Sequence, residues 1–133
     1  MNTPEPRWVK RAVMDMAHHE MIKTFGGLEG VRDAGALESA LARAQQKFSY
    51  EQESDLAALC ACYGYGISRN HPYNDGNISC VFTAMMIFAR FNGFTIKAEE
   101  ESVVSIILGI ASSQASEEDL ILWLREHLVL YPG

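Results

Sequence analysis

Along most of this chain the apolar positions recur three and four residues apart, the spacing of one helix face, and short runs of glycine, asparagine and aspartate interrupt them. From Trp8 to Phe25 the residues Val9, Ala12, Val13, Met16 and Ala17 keep that spacing until Gly26-Gly27 stops it, which predicts a first helix. After a glycine-rich loop, Asp33 is placed as an N-cap, and Leu37, Ala40, Leu41 and Ala44 form the buried stripe of a second helix. Gly35 falls in its first turn and weakens it slightly. From Ser54 to Ser68 the string SDLAALCACYGYGIS opens on a capping residue and is apolar almost all round, so it predicts a helix covered on several sides. Gly64 and Gly66 would let a neighbour approach closely. Val81, Phe82, Met85, Met86, Phe88 and Ala89 predict another buried helix, ended by Asn92-Gly93, and these two helices form a central hairpin.

The string FTIKAEEES leaves room for a short extended piece before a helix built on Val103, Val104, Ile106, Ile107 and Ile110. Ser116 and Asp119 are spaced as a capping box, with Asp replacing the usual Glu or Gln, and they open a last amphipathic helix through Leu120, Leu124 and Leu128. The acidic runs Glu99 to Glu101 and Glu117 to Asp119 fall near helix starts, where the helix dipole favours negative charge. There are no repeats and no linker. The expectation is an all-α bundle of about six helices, one domain over residues 1–133 with its core at about 8–128.

Composition narrows the function. At 133 residues, 48% hydrophobic and 21% charged, the chain has the balance of a soluble globular protein. Its net charge of -6 lacks the basic surface that holds nucleic acid through phosphates, so no direct nucleic-acid partner is expected. The opening MNTPEPRWVKRAVMDM has no apolar signal core, and no stretch reaches the roughly eighteen apolar residues of a membrane span; a cytoplasmic protein with no membrane partner is expected. Cys60, Cys62 and Cys80 are odd in number and are read as small buried hydrophobes. A zinc site from them and His71 is disfavoured, because Cys-x-Cys on a helix splays its sulfurs roughly 200° apart.

The string HPYNDGNIS, residues 71–79, joins the two helices of the central hairpin. Pro72, Asn74, Asp75 and Gly76 are turn-formers, so a simple chain reversal is one reading. The same turn delivers a helix N-terminus at Gly76 and Asn77, where free N–H groups and the dipole suit an anion. His71 has the solution pKa of a general base, Asp75 is a hard oxygen ligand for Mg²⁺, and Asn77 can donate to a phosphate oxygen. Arg69 adds a cationic fork suited to phosphate. Each also has a structural reading: a capping histidine, an Asx-turn aspartate, an N-cap asparagine and a surface arginine.

His-Pro-Tyr-Asn-Asp-Gly-Asn followed by an apolar helix resembles the signature of the Fic/Doc family, commonly His-Pro-Phe-x-Asp-Gly-Asn-Lys-Arg in its Doc branch. A second block, FGGLEGVRDAGALESALARAQ, is similar to the Gly-Gly-x-x-Gly-x-Arg-Asp-x-Gly-x-Leu-Glu-Ser-Ala-Leu stretch of that branch, and GISRNHPYNDGN carries its lead-in. The resemblance runs from Trp8 to Leu128 and implies a compact bundle of about six helices. It also implies the toxin of a bacterial toxin-antitoxin pair that uses ATP and Mg²⁺ to phosphorylate a threonine of elongation factor Tu and so stops translation. His71 would then be the base on the target hydroxyl, Asp75 the metal ligand, Gly76 and Asn77 part of the phosphate-binding loop, and Arg69 a further phosphate contact. Tyr73 takes the place of the phenylalanine that packs the loop on the core.

Two positions depart from the pattern. Ile78 and Ser79 stand where the Doc branch carries Lys and Arg, facing the nucleotide phosphates. A charge-assisted hydrogen bond contributes roughly 1.5–3 kcal/mol, and a transition-state arginine about 10³–10⁵ in phosphoryl-transfer rate, so an attenuated or inactive copy is expected. Three explanations compete: a selected or engineered inactive variant, a naturally degenerate toxin, and a relative that supplies a different donor. The alternatives for function are AMP transfer, as in most other Fic proteins, and a non-catalytic module that binds and sequesters an antitoxin. The string Ser49 to Ser54 misses the self-inhibitory Ser/Thr-x-x-x-Glu-Gly/Asn pattern, so a separate small Phd-like antitoxin is the expected partner.

Overall fold

The computed structural model describes residues 4–132, and among them the helices follow the predicted number and order. The first helix, α1 (Arg11–Phe25), begins three residues later than its pattern suggests; Lys10 is its N-cap, and Val9 is buried in the extended entry, its N–H donating to Tyr63 Oη at 3.0 Å. Its buried face is Met14, His18 and Ile22, whereas Met16, a member of the predicted stripe, is 70% exposed. The contact is a narrow line at four-residue spacing with a histidine in the middle, which is why the apolar pattern pointed elsewhere.

The second helix, α2 (Ala34–Tyr50), is capped by Asp33, which accepts from the Ala36 N–H at 3.0 Å, and it buries Leu37, Ala40 and Ala44 as predicted. The third, α3 (Leu56–Asn70), takes Asp55 as its cap in place of Ser54 and is buried on nearly every side, because α2, the fourth helix and the last all pack on it. Two glycines make this possible. A Cβ at Gly64 would lie 2.5 Å from Met85 Sδ, and one at Gly66 would lie 3.1 Å from Ala40 Cα. The fourth helix, α4 (Asn77–Phe91), returns antiparallel to α3 and contributes Val81, Ala84, Met85 and Phe88 to the core. Full burial of side chains such as Met85 and Phe88 stabilises by roughly 1.5–3 kcal/mol each.

The extended piece exists as β1 (Phe94–Ile96), followed by α5 (Glu100–Ala111) and α6 (Glu117–His127). Ser116 and Asp119 form the capping box: the Asp119 N–H donates to Ser116 Oγ at 3.0 Å, and Asp119 Oδ2 accepts from the Ser116 N–H at 2.8 Å. The last helix stops at His127, one residue before its predicted end. Leu128 instead opens β2 (Leu128–Leu130), which pairs antiparallel with β1 in the register Phe94↔Leu130 and Ile96↔Leu128. The free backbone groups of β1 recruit the chain end into a ribbon, a long-range effect that helical spacing cannot reveal. The fold is all-α apart from this ribbon. The buried apolar side chains make one cluster around α3 and α4, with the three cysteines inside it. Burial pushes the Cys62 thiol up to about 11 and the Cys80 thiol up to about 12, so both stay protonated at neutral pH. No helix among the described residues is long and apolar enough to cross a membrane.

Candidate active site

The two blocks that carry the family resemblance meet in space: the loop 26–33 lies along the loop 71–76. Val31 and Tyr73 form an antiparallel bridge, the Arg32 and Asp33 N–H groups donate to the Pro72 carbonyl at 2.8 and 3.1 Å, and the Asn74 N–H donates to Gly30 O at 3.1 Å. Gly27 and Gly30 permit this approach. Their φ angles are 120° and 108°, and a Cβ would lie 3.3 Å from Asp75 Cβ at the first and 3.1 Å from Asn74 Nδ2 at the second.

His71 terminates α3. It sits in the left-handed region, φ 45° and ψ 58°, with its N–H on Ile67 O at 3.1 Å and its side chain exposed. That conformation is uncommon for a residue with a Cβ and has an identifiable support. Arg32 donates through Nε and Nη2 to the His71 carbonyl at 2.8 and 2.6 Å, and through Nη2 to the Asn70 carbonyl at 3.0 Å. These are the carbonyls a helix C-terminus leaves without partners, and a guanidinium there also meets the negative end of the dipole.

Tyr73 packs the loop on the core as a phenylalanine would, 1% exposed, with its hydroxyl 3.4 Å from Asp15 Oδ1; burial pushes its phenol well above the ordinary range. Asp75 is exposed. Its Oδ2 accepts from the Leu28 N–H at 2.7 Å, and its carbonyl accepts from His18 Nε2 at 2.8 Å. Oδ1 has no partner among the described residues, which leaves a hard oxygen of the kind Mg²⁺ takes when substrate phosphates supply other ligands. Gly76 follows in the left-handed region, φ 79°, as the N-cap of α4 with no side chain capping the helix. The backbone N–H groups of Asn77, Ile78 and Ser79 have no acceptor among the described residues, and the first to re-enter the helical ladder is Cys80, on Gly76 O at 2.9 Å. The arrangement can hold an anion at α4, a cation at Asp75, and a proton acceptor at His71.

Two of the predicted contacts are placed differently. The Asn77 side chain is engaged within the loop: Oδ1 accepts from the Tyr73 N–H at 2.9 Å and Nδ2 donates to the Tyr73 carbonyl at 2.8 Å, while its backbone N–H has no partner among the described residues. Arg69 turns toward the α5–α6 connection, donating to Ser113 Oγ at 3.0 Å with its guanidinium 5.0 Å from the Tyr65 ring centre, and it makes no hydrogen bond to residues 71–79. At the departing positions, Ser79 is exposed and Ile78 is half exposed. Both border a groove of about 530 Å³ whose walls include Met21, Phe25, Phe82, Val104 and Leu108, with Glu100 at its side.

Two residues of the site carried no assigned role in the sequence: His18 and Arg32. The spacing Met14-His18-Ile22 was the available signal for the first, a polar residue completing a four-residue stripe. Arg32 stood inside the second resemblance block without a partner to explain it.

The comparisons with known proteins agree with this geometry. The model of the Fic/DOC family matches residues 8–89, which contain both loops and the helices that carry them. The protein kinase Doc of Escherichia phage P1 is 30% identical over 108 residues, which is 81% of this chain and 85% of that protein. With the two loops joined as one site and likeness extending over most of its length, the chain belongs to the Fic/Doc family.

Proposed function

We propose that this chain is a Doc-like toxin of a toxin-antitoxin module, acting in the cytoplasm as one Fic/Doc-like unit with its core at about residues 8–128. Its family chemistry is transfer of the γ-phosphate of ATP to a Ser or Thr hydroxyl of a protein, with elongation factor Tu the target the resemblance implies. The observation that carries the reading is the join of three groups on one short loop: exposed His71 at the end of α3, Asp75 with a free carboxylate oxygen, and the uncapped N-terminus of α4. His71 accepts the proton of the attacking hydroxyl, the new O–P bond forms as the β–γ bridge breaks, and ADP leaves. Asp75 would hold Mg²⁺, which would supply charge neutralisation at the phosphates. The N–H groups of Asn77, Ile78 and Ser79 hold phosphate oxygens.

This copy is attenuated. Ile78 and Ser79 leave the phosphate end of α4 without side-chain cations, and Arg69 and Arg32 are held by Ser113 and by the α3 carbonyls. Labelled ATP tests the reading: γ-label should reach elongation factor Tu when Ile78→Lys and Ser79→Arg are introduced together, and α-label should not. Transfer of α-label would assign AMP transfer, and no transfer of either label by the folded double variant would remove the catalytic reading.

One observation favours a second role, as an antitoxin-binding module with or without catalysis. Phe25, Ile78, Val104 and Leu108 are 83%, 50%, 47% and 49% exposed along the groove beside α4, an apolar surface suited to a partner. An amphipathic helix of a Phd-like antitoxin, with basic residues near Glu100, would suit it. Binding of such a helix should be lost in Phe25→Asp and should weaken as salt rises; an unchanged dissociation constant in that variant would remove this role from the groove.

A further inference from the structure

We infer that His18 is a positioning residue for Asp75, an inference that rests on the reading of Asp75 as the metal-binding carboxylate. His18 lies on α1, 57 residues from the loop it touches, and is 3% exposed. Three contacts engage its ring, on one face and one edge. One face stacks on Tyr73, centroids 3.9 Å apart and planes 10° apart; its Cδ2–Nε2 edge lies against Gly76, where a Cβ would be 3.6 Å away; and Nε2 meets the Asp75 carbonyl at 2.8 Å. A carbonyl only accepts, so Nε2 carries the hydrogen in whichever charge state the ring adopts.

Asp75 is therefore fixed at two points from two different elements. The ring of His18 holds its carbonyl from α1, and the Leu28 N–H holds its carboxylate from the glycine loop at 2.7 Å. The peptide between Asp75 and Gly76, whose carbonyl His18 holds, immediately precedes the one that carries the first free N–H of α4, that of Asn77. Without the His18 donor the Asp75 backbone loses its anchor to α1 and only the Leu28 bond to the side chain remains, so the carboxylate and the start of α4 are both held less firmly. Tyr73 sets the plane of the ring, and its hydroxyl reaches Asp15, three residues before His18 on the same helix. His18 thus links the helix, the aromatic packing and the carboxylate without itself touching substrate.

A purely packing role for His18 predicts the opposite order of variants. His18→Phe keeps a flat ring for Tyr73 and loses the donor; His18→Gln loses the ring and keeps an amide N–H that can reach the Asp75 carbonyl. The test measures amide exchange at Leu28 relative to α3 amides, and the dissociation constant of Mg²⁺·ATP, in the full chain. In His18→Phe, Leu28 exchange should rise and Mg²⁺·ATP binding weaken, each roughly tenfold as for loss of a group that orients a metal ligand, while His18→Gln stays near the native chain on both. Unchanged Leu28 exchange in His18→Phe, equal loss in His18→Gln, or a matching rise across α3 would overturn the inference. A native chain that binds no Mg²⁺·ATP while Leu28 exchange follows the predicted order would overturn the ATP reading and leave the positioning of Asp75 standing.

Discussion

Replacing Arg32 with alanine removes the side chain that holds His71 in its left-handed conformation. The guanidinium makes three N–H···O contacts of 2.6–3.0 Å with two carbonyls. Hydrogen bonds to a charged group contribute about 1.5–3 kcal/mol each when shielded, but Arg32 is exposed and water competes, so the whole clamp is set at about 2 kcal/mol. Against it stands the intrinsic cost of the left-handed region for a residue with a Cβ, about 1 kcal/mol. With the clamp, the observed geometry is favoured by about 1 kcal/mol, or roughly five to one; without it the ratio inverts. Arg32→Ala should therefore cost about 1 kcal/mol, lower the melting temperature by roughly 3–5 °C, and loosen the loop more than the core. Arg32→Lys, which replaces a rigid fork by a single ammonium, should fall between. The measurements are thermal melts and amide exchange at His71, whose N–H bonds Ile67 O at 3.1 Å. A melting temperature within about 1 °C of native, with unchanged exchange at His71, would refute the clamp.

Other consequences follow from the same contacts. Burial of Asp55 is outweighed by Arg125 at 2.8 Å and the Ala58 N–H at 2.9 Å, which hold its carboxyl below the ordinary 3.8. A lowered folded pKa contributes stability that is present above the unfolded value and is lost as pH falls through the folded one. The difference in stability between the native chain and Asp55→Asn should thus be largest above about pH 4 and shrink below it, as urea titrations across pH 2–6 would show. Asp55→Ala also removes the cap of α3 and should cost about 1 kcal/mol in urea unfolding. At Gly66, alanine gains up to about 1 kcal/mol of helix propensity, but its Cβ would sit 3.1 Å from the Ala40 backbone. Separation of α2 from α3 should dominate, with a net loss of about 1–2 kcal/mol by chemical denaturation.

Much of the fold was legible because its helices bury apolar faces and announce their ends: Asp33 caps α2, Ser116 and Asp119 box α6, and Gly64 and Gly66 mark close approach on α3. What the pattern missed depends on residues distant in the chain. The α1 face turned on His18, whose burial is stabilised by a carbonyl 57 residues away, and β2 exists because β1 lies beside it. At the site, the motif residues were visible from their chemistry, but the contacts of their side chains were not. The Asn77 side chain bonds the Tyr73 backbone and Arg69 bonds Ser113, partners that spacing along the chain does not mark. The glycine loop was visible as a second block of resemblance, but its contacts with Asp75 and Pro72 required the fold.

As a phosphoryl-transfer site, this loop lacks only the cations at 78 and 79. Its most direct test is the rate of γ-phosphate transfer to elongation factor Tu by the native chain, by Ile78→Lys/Ser79→Arg, and by that double variant with His71→Ala added. The rate should rise by about 10³ or more when the two cations are restored, and the gain should be lost when His71 is removed. A folded double variant that transfers no faster than the native chain, or one whose activity survives His71→Ala, would contradict it.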